Sequence, residues 1–514
     1  MLDPAESLQA KSLNLYSSRG MTEVARHTTL AAFSQFCVAV QGCVLLAGLS
    51  FAWLWAATRR SAVLADVSRR ALRTSAREDT SRAETESATA AARPFVTAVL
   101  PATGCTPAKL RNWESQLSSS YPGPLHTVFV VSTVSDDAVS HTRTSPLRVF
   151  LFASSHKLFF IFLPQFEPAT RVAQELRKQS LHAPRTACVI VAGLSHDRSQ
   201  KIANQRAGAL VAPHATRYVV FLDDDVHLHP SSVESLVTSL ENSPESLLAT
   251  GFPCPNPSDG TSIFSLCVVA HALPLLIAFS HGRRTRNVWG GCMMFRSQDL
   301  SPSGCVSSVW GPGAFSDDLN IAALAHAMGA SIECPGQAVF PAELPREMGF
   351  LSLWGFLHRS VFVLRTYANP HNRRVNSLLF VALVYGAVAL LAAIGVATAR
   401  LPFLRRPNTW SPCDAAAALV FILWVVAMLS ARHFHNTVVS LCSALSPQWS
   451  LHRQPISWAR FAVAMLLTQA LLLAAAAATV CRSTVSWAGI GYTCQGGKVA
   501  SVRHTAREGP KRQK

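Results

Sequence analysis

Four apolar runs reach or approach the about 20 residues that a helix needs to cross a bilayer core about 30 Å thick. They cover 30–57, 375–399, 415–431 and 461–481. The first follows Arg26 and ends in Trp53 and Trp55, ahead of Arg59, Arg60, Arg69 and Arg70. It is longer than the apolar part of a signal peptide and lacks an evident small-residue cleavage site, so it reads as an anchor, not a removed leader. Residues 1–29 form a tail before it. Residues 58–93, rich in Ala, Ser, Thr and alternating charge, read as a linker, and 482–514 as a basic C-terminal tail.

A fifth uncharged run, 260–281, holds His271 and Pro274 near its middle. If it crossed the bilayer, Asp223, Asp224 and Asp225 would face one compartment and Asp317 and Asp318 the other, and the two acidic clusters could not share a site. It is therefore expected to lie at the interface or be buried.

The long stretch 94–372 has a different rhythm. Short apolar segments, Phe95 to Leu100, His126 to Ser132, Cys188 to Ala192 and Tyr218 to Leu222, alternate with helical stretches such as Thr106 to Ser118 and Ser231 to Glu241. Continuous apolar strands separated by helices imply an α/β domain, Rossmann-like, whose mainly parallel sheet is covered on both faces. Such sheets bind ligands beyond the C-terminal ends of their strands, which here means beside Asp136, Asp223 and Asp225.

Composition agrees with one soluble domain carried on membrane helices. The chain has 514 residues, of which 49% are apolar and 15% charged, and its mean hydropathy is +0.23. That balance excludes wholesale disorder, and the 26 glycines show no three-residue period of the collagen kind. Thirteen cysteines lack CxxC pairs and histidines at ligand spacing, so they read as reduced, buried thiols, not a zinc site or disulfide framework. The net charge of +17 suits an anionic membrane surface or an anionic substrate. No zinc-finger-like or RNA-recognition pattern supports nucleic acid as a partner.

Three adjacent carboxylates after an apolar strand raise one another's pKa unless a cation joins them. Asp223-x-Asp225 puts two carboxylates on one side of an extended segment, where they can meet a hard divalent ion that also holds a diphosphate. Asp317 and Asp318 follow a Gly/Pro loop at a helix start, where a carboxylate either caps the helix or serves as a general base. Trp289-Gly-Gly-Cys-Met-Met294 joins a large ring to two glycines, which suits either a tight turn before a core strand or close approach of a substrate.

Taken together, these motifs resemble the ceramide glucosyltransferases, in particular the plant and algal type of these inverting GT-A membrane glycosyltransferases. The resemblance runs from about Phe95 to Tyr367. It rests on Asn112-Trp113, Tyr121-Pro-Gly-Pro-Leu125, Val189-Ile-Val-Ala-Gly-Leu-Ser195, Ser199-Gln-Lys-Ile-Ala-Asn-Gln205, Phe221-Leu-Asp-Asp-Asp-Val-His-Leu-His-Pro230, Trp289-Gly-Gly-Cys-Met-Met294, Phe315-Ser-Asp-Asp-Leu319 and Val339-Phe-Pro341. It implies that Asp136 or Asp137 contacts the nucleotide base and that Lys201, Asn204 and Asp223 lie at the nucleotide sugar. It further implies that Asp223 and Asp225 hold Mg²⁺ or Mn²⁺ on the UDP diphosphate, and that Asp318 is the base that deprotonates the primary hydroxyl of ceramide. Glucose would pass from UDP-glucose with inversion. Trp289, Gly290, Gly291, Asp317, His358 and Arg359 fall near the acceptor. The setting implied is a multi-pass protein of Golgi or ER membranes whose catalytic domain faces the cytosol, in agreement with the basic residues flanking the first two apolar runs.

Two departures from the family pattern stand out. Its Gln/Arg-x-x-Arg-Trp signature is replaced by Phe356-Leu-His-Arg-Ser-Val-Phe-Val-Leu-Arg365, with Arg359 and Arg365 the candidates for the missing cation. Residues 143–170 have no counterpart and read as an insertion. Two rival readings share the fold: a processive polysaccharide synthase of the cellulose or hyaluronan kind, which uses an intact signature, and an inactive membrane scaffold.

Overall fold

The structure is a computed structural model that describes residues 4–75, 93–133, 159–162, 185–256, 262–345, 347–404, 411–447 and 456–504. Asp136, Asp137 and most of the expected insertion lie outside the described residues. The chain begins with the long helix α1 (Pro4–Ser75) and continues through β1 (Phe95–Pro101), α2 (Pro107–Leu117), β2 (Leu125–Val131), β3 (Phe159–Phe162) and β4 (Arg185–Val191). Next come α3 (Gln200–Leu210), β5 (Thr216–Leu222), α4 (Ser232–Glu241), β6 (Ser246–Thr250), β7 (Phe252–Asn256), α5 (Ile263–Ile277), β8 (Arg284–Thr285) and β9 (Cys292–Arg296). These are followed by α6 (Cys305–Val309), α7 (Asp317–Ala327), β10 (Ser331–Glu333), β11 (Val339–Glu343) and α8 (Phe350–Phe362). Three long helices, α9 (Pro370–Leu404), α10 (Pro412–Leu445) and α11 (Trp458–Cys481), precede β12 (Thr484–Trp487), β13 (Ile490–Gln495) and β14 (Lys498–His504).

The chain divides into two compact units, residues 1–52 with 384–431, and residues 53–383 with 432–514. The first is built from apolar helix. A Cβ on Gly42 would stand 2.2 Å from that of Ala393, so α1 and α9 pass backbone to backbone at a small-residue contact. The Arg400 guanidinium donates to Gln35 Oε1 at 3.1 Å and meets Asp414 Oδ1 at 3.3 Å, fastening the end of α9 to α1 and α10.

The second unit holds the sheet, in the order β3-β4-β2-β1-β5-β9-β6-β10-β8. Strands β3, β4, β2, β1 and β5 run parallel, as the continuous apolar segments require, and β9 enters antiparallel between β5 and β6. Two apolar layers cover it. One packs Trp113, Phe129, Tyr218 and Phe340 on one face, and the other packs Phe221, Phe295, Trp310 and Ile321 on the opposite face. The mixed α/β class is therefore as the sequence implies.

Among the described residues, four helices are long and apolar enough to cross a membrane: α1 over Leu30–Ala71, α9 over Pro370–Phe403, α10, and α11. Helix α5, inside the 260–281 run, has 15 residues and so spans about 22 Å, short of a bilayer core. It packs on α11, where Thr468 Oγ1 donates to Cys267 O at 3.4 Å.

Two readings need correction. The expected linker from residue 58 is helix as far as Ser75, because its Ala, Arg and Leu are strong helix formers and Asp66 pairs with Arg70 one turn on, at 2.7 Å. Arg60, expected as a flanking charge, is buried and donates to Phe279 O (2.7 Å), Gly336 O (2.6 Å) and Ser280 Oγ (3.2 Å), which ties α1 to the α/β domain. The tail from 482 is likewise not a loose basic extension. Residues 484–504 form an antiparallel three-stranded sheet.

Candidate active site

Strand register assembles the site. Leu222, the last residue of β5, pairs with Cys292, the first of β9, so the turn preceding β9 lies beside the acids that follow β5. The Asp223 N–H donates to Gly291 O at 3.1 Å. A Cβ on Gly290 would stand 2.7 Å from Asp317 Oδ2, so this position needs glycine for the second acidic pair to close on the first. Gly291 has a different reason: its Cβ would meet the Trp289 ring at 2.2 Å. That half-buried ring lies over Phe340, centroids 6.2 Å apart.

Lys201 sits between the two acidic clusters. Its Nζ lies 2.9 Å from Asp223 Oδ1 and 3.0 Å from Asp317 Oδ2, and donates to Gly290 O at 3.1 Å. Burial alone would lower the Lys201 pKa, but the Asp223 and Asp317 carboxylates outweigh it and raise it, so the ammonium stays charged. Gln205, one helical turn along α3, donates to Asp317 Oδ2 at 2.9 Å. Asn204 accepts from Gln200 Nε2 at 2.8 Å and donates to Ser132 Oγ at 3.4 Å, joining α3 to the end of β2. Asp224 turns to the other side, where Lys109 Nζ and the Thr103 N–H approach its Oδ2 at 2.6 and 3.0 Å.

Two carboxylates remain open. Asp225 is exposed and has no cation within salt-bridge range among the described residues. Asp318 is half-exposed, whereas Asp317 behind it is buried. Ser316 Oγ and the Leu319 N–H both donate to Asp318 Oδ1, at 2.5 and 2.8 Å, leaving Oδ2 with one long contact, 3.4 Å, from the Gly290 N–H. Ser316 caps α7, and Asp318 stands in its first turn with Oδ2 held by that one long contact only among the described residues.

Burial raises the pKa of three of these acids, Asp223 to about 7 despite Lys201, and Asp224 and Asp318 also upward, the last pushed further by Asp317. Of these carboxylates Asp225 is the exposed one, and Asp223 is already engaged by Lys201. No group of three or more His, Cys, Asp or Glu side chains converges at metal-binding range among the described residues. A cation at Asp223 and Asp225 would therefore draw its remaining ligands from elsewhere.

Helix α8 supplies the third side. Burial and two nearby carboxylates act oppositely on Arg359: burial lowers its pKa, and Asp223 and Asp225 partly restore it. Arg365 is engaged elsewhere, donating to Thr479 O and Arg482 O at the end of α11. Between the two candidate cations of the sequence, Arg359 is the one that senses the acids. His358 stacks on Trp354 with centroids 5.9 Å apart, its Nε2 buried without a partner among the described residues, and burial lowers its pKa. The sequence reading did not single out Gln205, Ser316, Lys109 or the C-terminal sheet. The first two stand inside motifs it quoted, and a lysine one turn into α2 gives no local sign of its distant partner.

No protein-family model and no curated protein matches this chain. Among solved structures, the mannosyltransferase PcManGT from Pyrobaculum calidifontis in complex with GDP-Man and Mn2+ is 15% identical, covering 80% of this chain and 97% of its own, with a TM-score of 0.40. Glucosyl-3-phosphoglycerate synthase from Mycobacterium tuberculosis, in complex with Mn2+ and UDP-glucose, is 14% identical over 55% of this chain and 83% of its own, with a TM-score of 0.28. Mouse xyloside xylosyltransferase 1 is 12% identical over 47% and 78%, at 0.22. These likenesses are too distant to assign an activity.

Proposed function

We propose that this chain is a membrane-bound glycosyltransferase that moves glucose from UDP-glucose to the primary hydroxyl of ceramide, with inversion at the anomeric carbon. The observation that carries the reading is the convergence, through Lys201, of the acids after β5 with the acids at the start of α7, beside the Trp289-Gly290-Gly291 turn. The choice of glucose and ceramide rests on the sequence resemblance.

Asp223 and Asp225 would hold Mg²⁺ or Mn²⁺, which when bound offsets the charge of the UDP diphosphate. Lys201 and Asn204 work from beneath the nucleotide sugar, the first fixing Asp223 and Asp317, the second fixing α3 to β2. Asp136 and Asp137 keep the nucleotide-base contact as their assigned role. Asp318 Oδ2 takes the acceptor hydroxyl proton, and Ser316 and the Leu319 N–H orient it by holding the other oxygen. The raised pKa of Asp318 makes it a better proton acceptor than an ordinary exposed carboxylate. As the acceptor oxygen bonds to the anomeric carbon, the bond from that carbon to the β-phosphate oxygen breaks and its electron pair leaves with UDP.

The cytosol-facing site at a Golgi or ER membrane rests on the sequence resemblance and the flanking basic residues, and the fold refines which helices cross. The C-terminal sheet packs on the α/β domain, so both belong on one side. Three full crossings between them would separate them. Helix α11, packed along α5, is then read as lying on or in the near leaflet, and α9 and α10 as the crossing pair.

The test uses sealed microsomes carrying the full chain, supplied with ceramide and individual UDP-sugars. Glucosylceramide from UDP-glucose is expected, identified by mass spectrometry and abolished by protease added outside the vesicles. A polymer product, or none, rejects the reading, and activity fully protected from outside protease rejects the orientation.

A further inference from the structure

The C-terminal sheet touches three of the segments that deliver candidate site residues: the start of α3, the loop before α7, and α8. Its buried face, Val485, Tyr492, Cys494 and Val499, packs on Phe315 and Phe362, the first two residues before Asp317 and the second three residues after Arg359. The Gln200 N–H, one residue before Lys201, donates to Tyr492 Oη at 3.1 Å. The Val499 N–H donates to Gly313 O at 2.8 Å in the loop leading to α7, and the Tyr367 N–H donates to Gly497 O at 3.1 Å after α8. Trp487 stands between two of these walls, its ring 6.1 Å from that of Phe315 and 5.1 Å from the Arg359 Cζ that lies over it.

Arg359 is the notable partner. Its guanidinium is half-buried, rests on Trp487 and Phe356, and among the described residues donates no hydrogen bond and forms no ion pair. A permanently charged group with a fork of unused donors, held by aromatic faces beside a cluster of acids, is suited to a planar or phosphate-like anion brought by a ligand.

We infer that the C-terminal sheet is a wall of the donor site and that Trp487 is a positioning residue, holding the Arg359 guanidinium where it meets the diphosphate of the bound nucleotide sugar. The inference rests on the proposed donor chemistry. It also makes residues 484–504, far from every motif in sequence, a condition of donor binding.

The experiment measures UDP and uridine affinity of the purified full chain for wild type, Arg359→Ala, Trp487→Ala, Trp487→Phe and the double alanine variant, with thermal melting of each. Arg359→Ala should weaken UDP roughly 10- to 100-fold, the range of a lost charge-assisted contact, and leave uridine unchanged. Trp487→Ala should weaken UDP by a smaller factor, Trp487→Phe should recover most of it, and the double variant should be no weaker than Arg359→Ala alone. Equal losses for UDP and uridine, or additive losses in the double variant, would overturn the positioning role. Unchanged UDP affinity in Arg359→Ala, with wild type binding UDP normally, would overturn the inference and leave the proposed function standing. A wild type that binds no UDP would overturn the proposed function, and this inference with it.

Discussion

The two acidic runs of the site, one at a strand end and one at a helix start, are resolved by their surroundings in the same way up to a point. In each, lysine takes the inner carboxylates: Lys109 holds Asp224, and Lys201 holds Asp223 and Asp317. In each, one acid is left over, Asp225 in the first and Asp318 in the second. They differ in restraint. Asp318 is fixed through one oxygen by a hydroxyl and a backbone N–H, whereas Asp225 accepts from no hydroxyl among the described residues. A base must point one oxygen at a particular proton, and a ligand to a hard cation can adjust around it. Adjacent acids in a sequence are thus not interchangeable ligands, because burial and neighbouring cations give each its own task.

The strongest way to break this comparison is to remove the proton acceptor and keep the shape. Asp318→Asn should lower turnover by roughly 10²–10⁴-fold while UDP-glucose affinity holds. An Asn side-chain oxygen accepts from Ser316 and the Leu319 N–H nearly as well as Asp, so a merely structural side chain in the first turn would leave turnover near wild type. Asp317→Asn is the internal control and should cost less turnover, since that side chain faces Lys201 and Gln205 and not the cleft. Steady-state glucosylceramide formation measured for both variants decides between them, and a larger loss at Asp317 would reverse the assignment.

The strand-end acid comes next. Asp225→Asn should reduce turnover by about 10²–10³-fold, the scale seen when one electrostatic stabiliser of a developing charge is lost. Unlike Asp318→Asn, it should also erase the difference between UDP-glucose affinity measured with Mn²⁺ and with a chelator. If that difference survives in full, Asp225 is not a metal ligand.

How much of this was legible depended on the range of the forces involved. Strands β1, β2, β4 and β5 could be read because each holds a mostly buried and therefore apolar run, as over residues 218–222. The pairing of the two acidic clusters comes from the family resemblance, and the reading of 260–281 as a non-crossing run is conditional on it. The C-terminal sheet could not: Lys498–His504 alternates exposed polar residues with a few packed ones, and its partners Phe315 and Phe362 lie more than a hundred residues away. The same holds for the division of labour among Asp223, Asp224 and Asp225. Sequence spacing placed Asp223 and Asp225 together and was silent on Lys109, whose ammonium reaches Asp224 because α2 follows β1 directly and starts beside the end of β5.

The last comparison sets the two lysines against each other, and here stability is the readout. Lys201 is nearly enclosed, its side chain 13% exposed, and it bridges two carboxylates of which Asp317 is 6% exposed. Lys201→Met keeps the stem and leaves two inner acids without their cation, the situation in which breaking a buried pair costs about 3–5 kcal/mol. Lys109 holds one acid, at 24% and 14% side-chain exposure, and Asp224 keeps the Thr103 N–H when the lysine is gone. Lys109→Met should therefore cost nearer about 1–2 kcal/mol, the scale of one lost hydrogen bond to a charged group with water able to replace it. Denaturation of both variants in the same detergent, followed by loss of tryptophan fluorescence structure and by residual UDP binding, separates the cases. Lys201→Met should unfold earlier and bind UDP poorly even while folded, because Asp223 loses its orientation. Lys109→Met should unfold slightly earlier and bind UDP as wild type does. Equal destabilisation by the two substitutions would mean that the acids after β5 and those before α7 are not joined through Lys201, and the shared site would have to be rebuilt on some other contact.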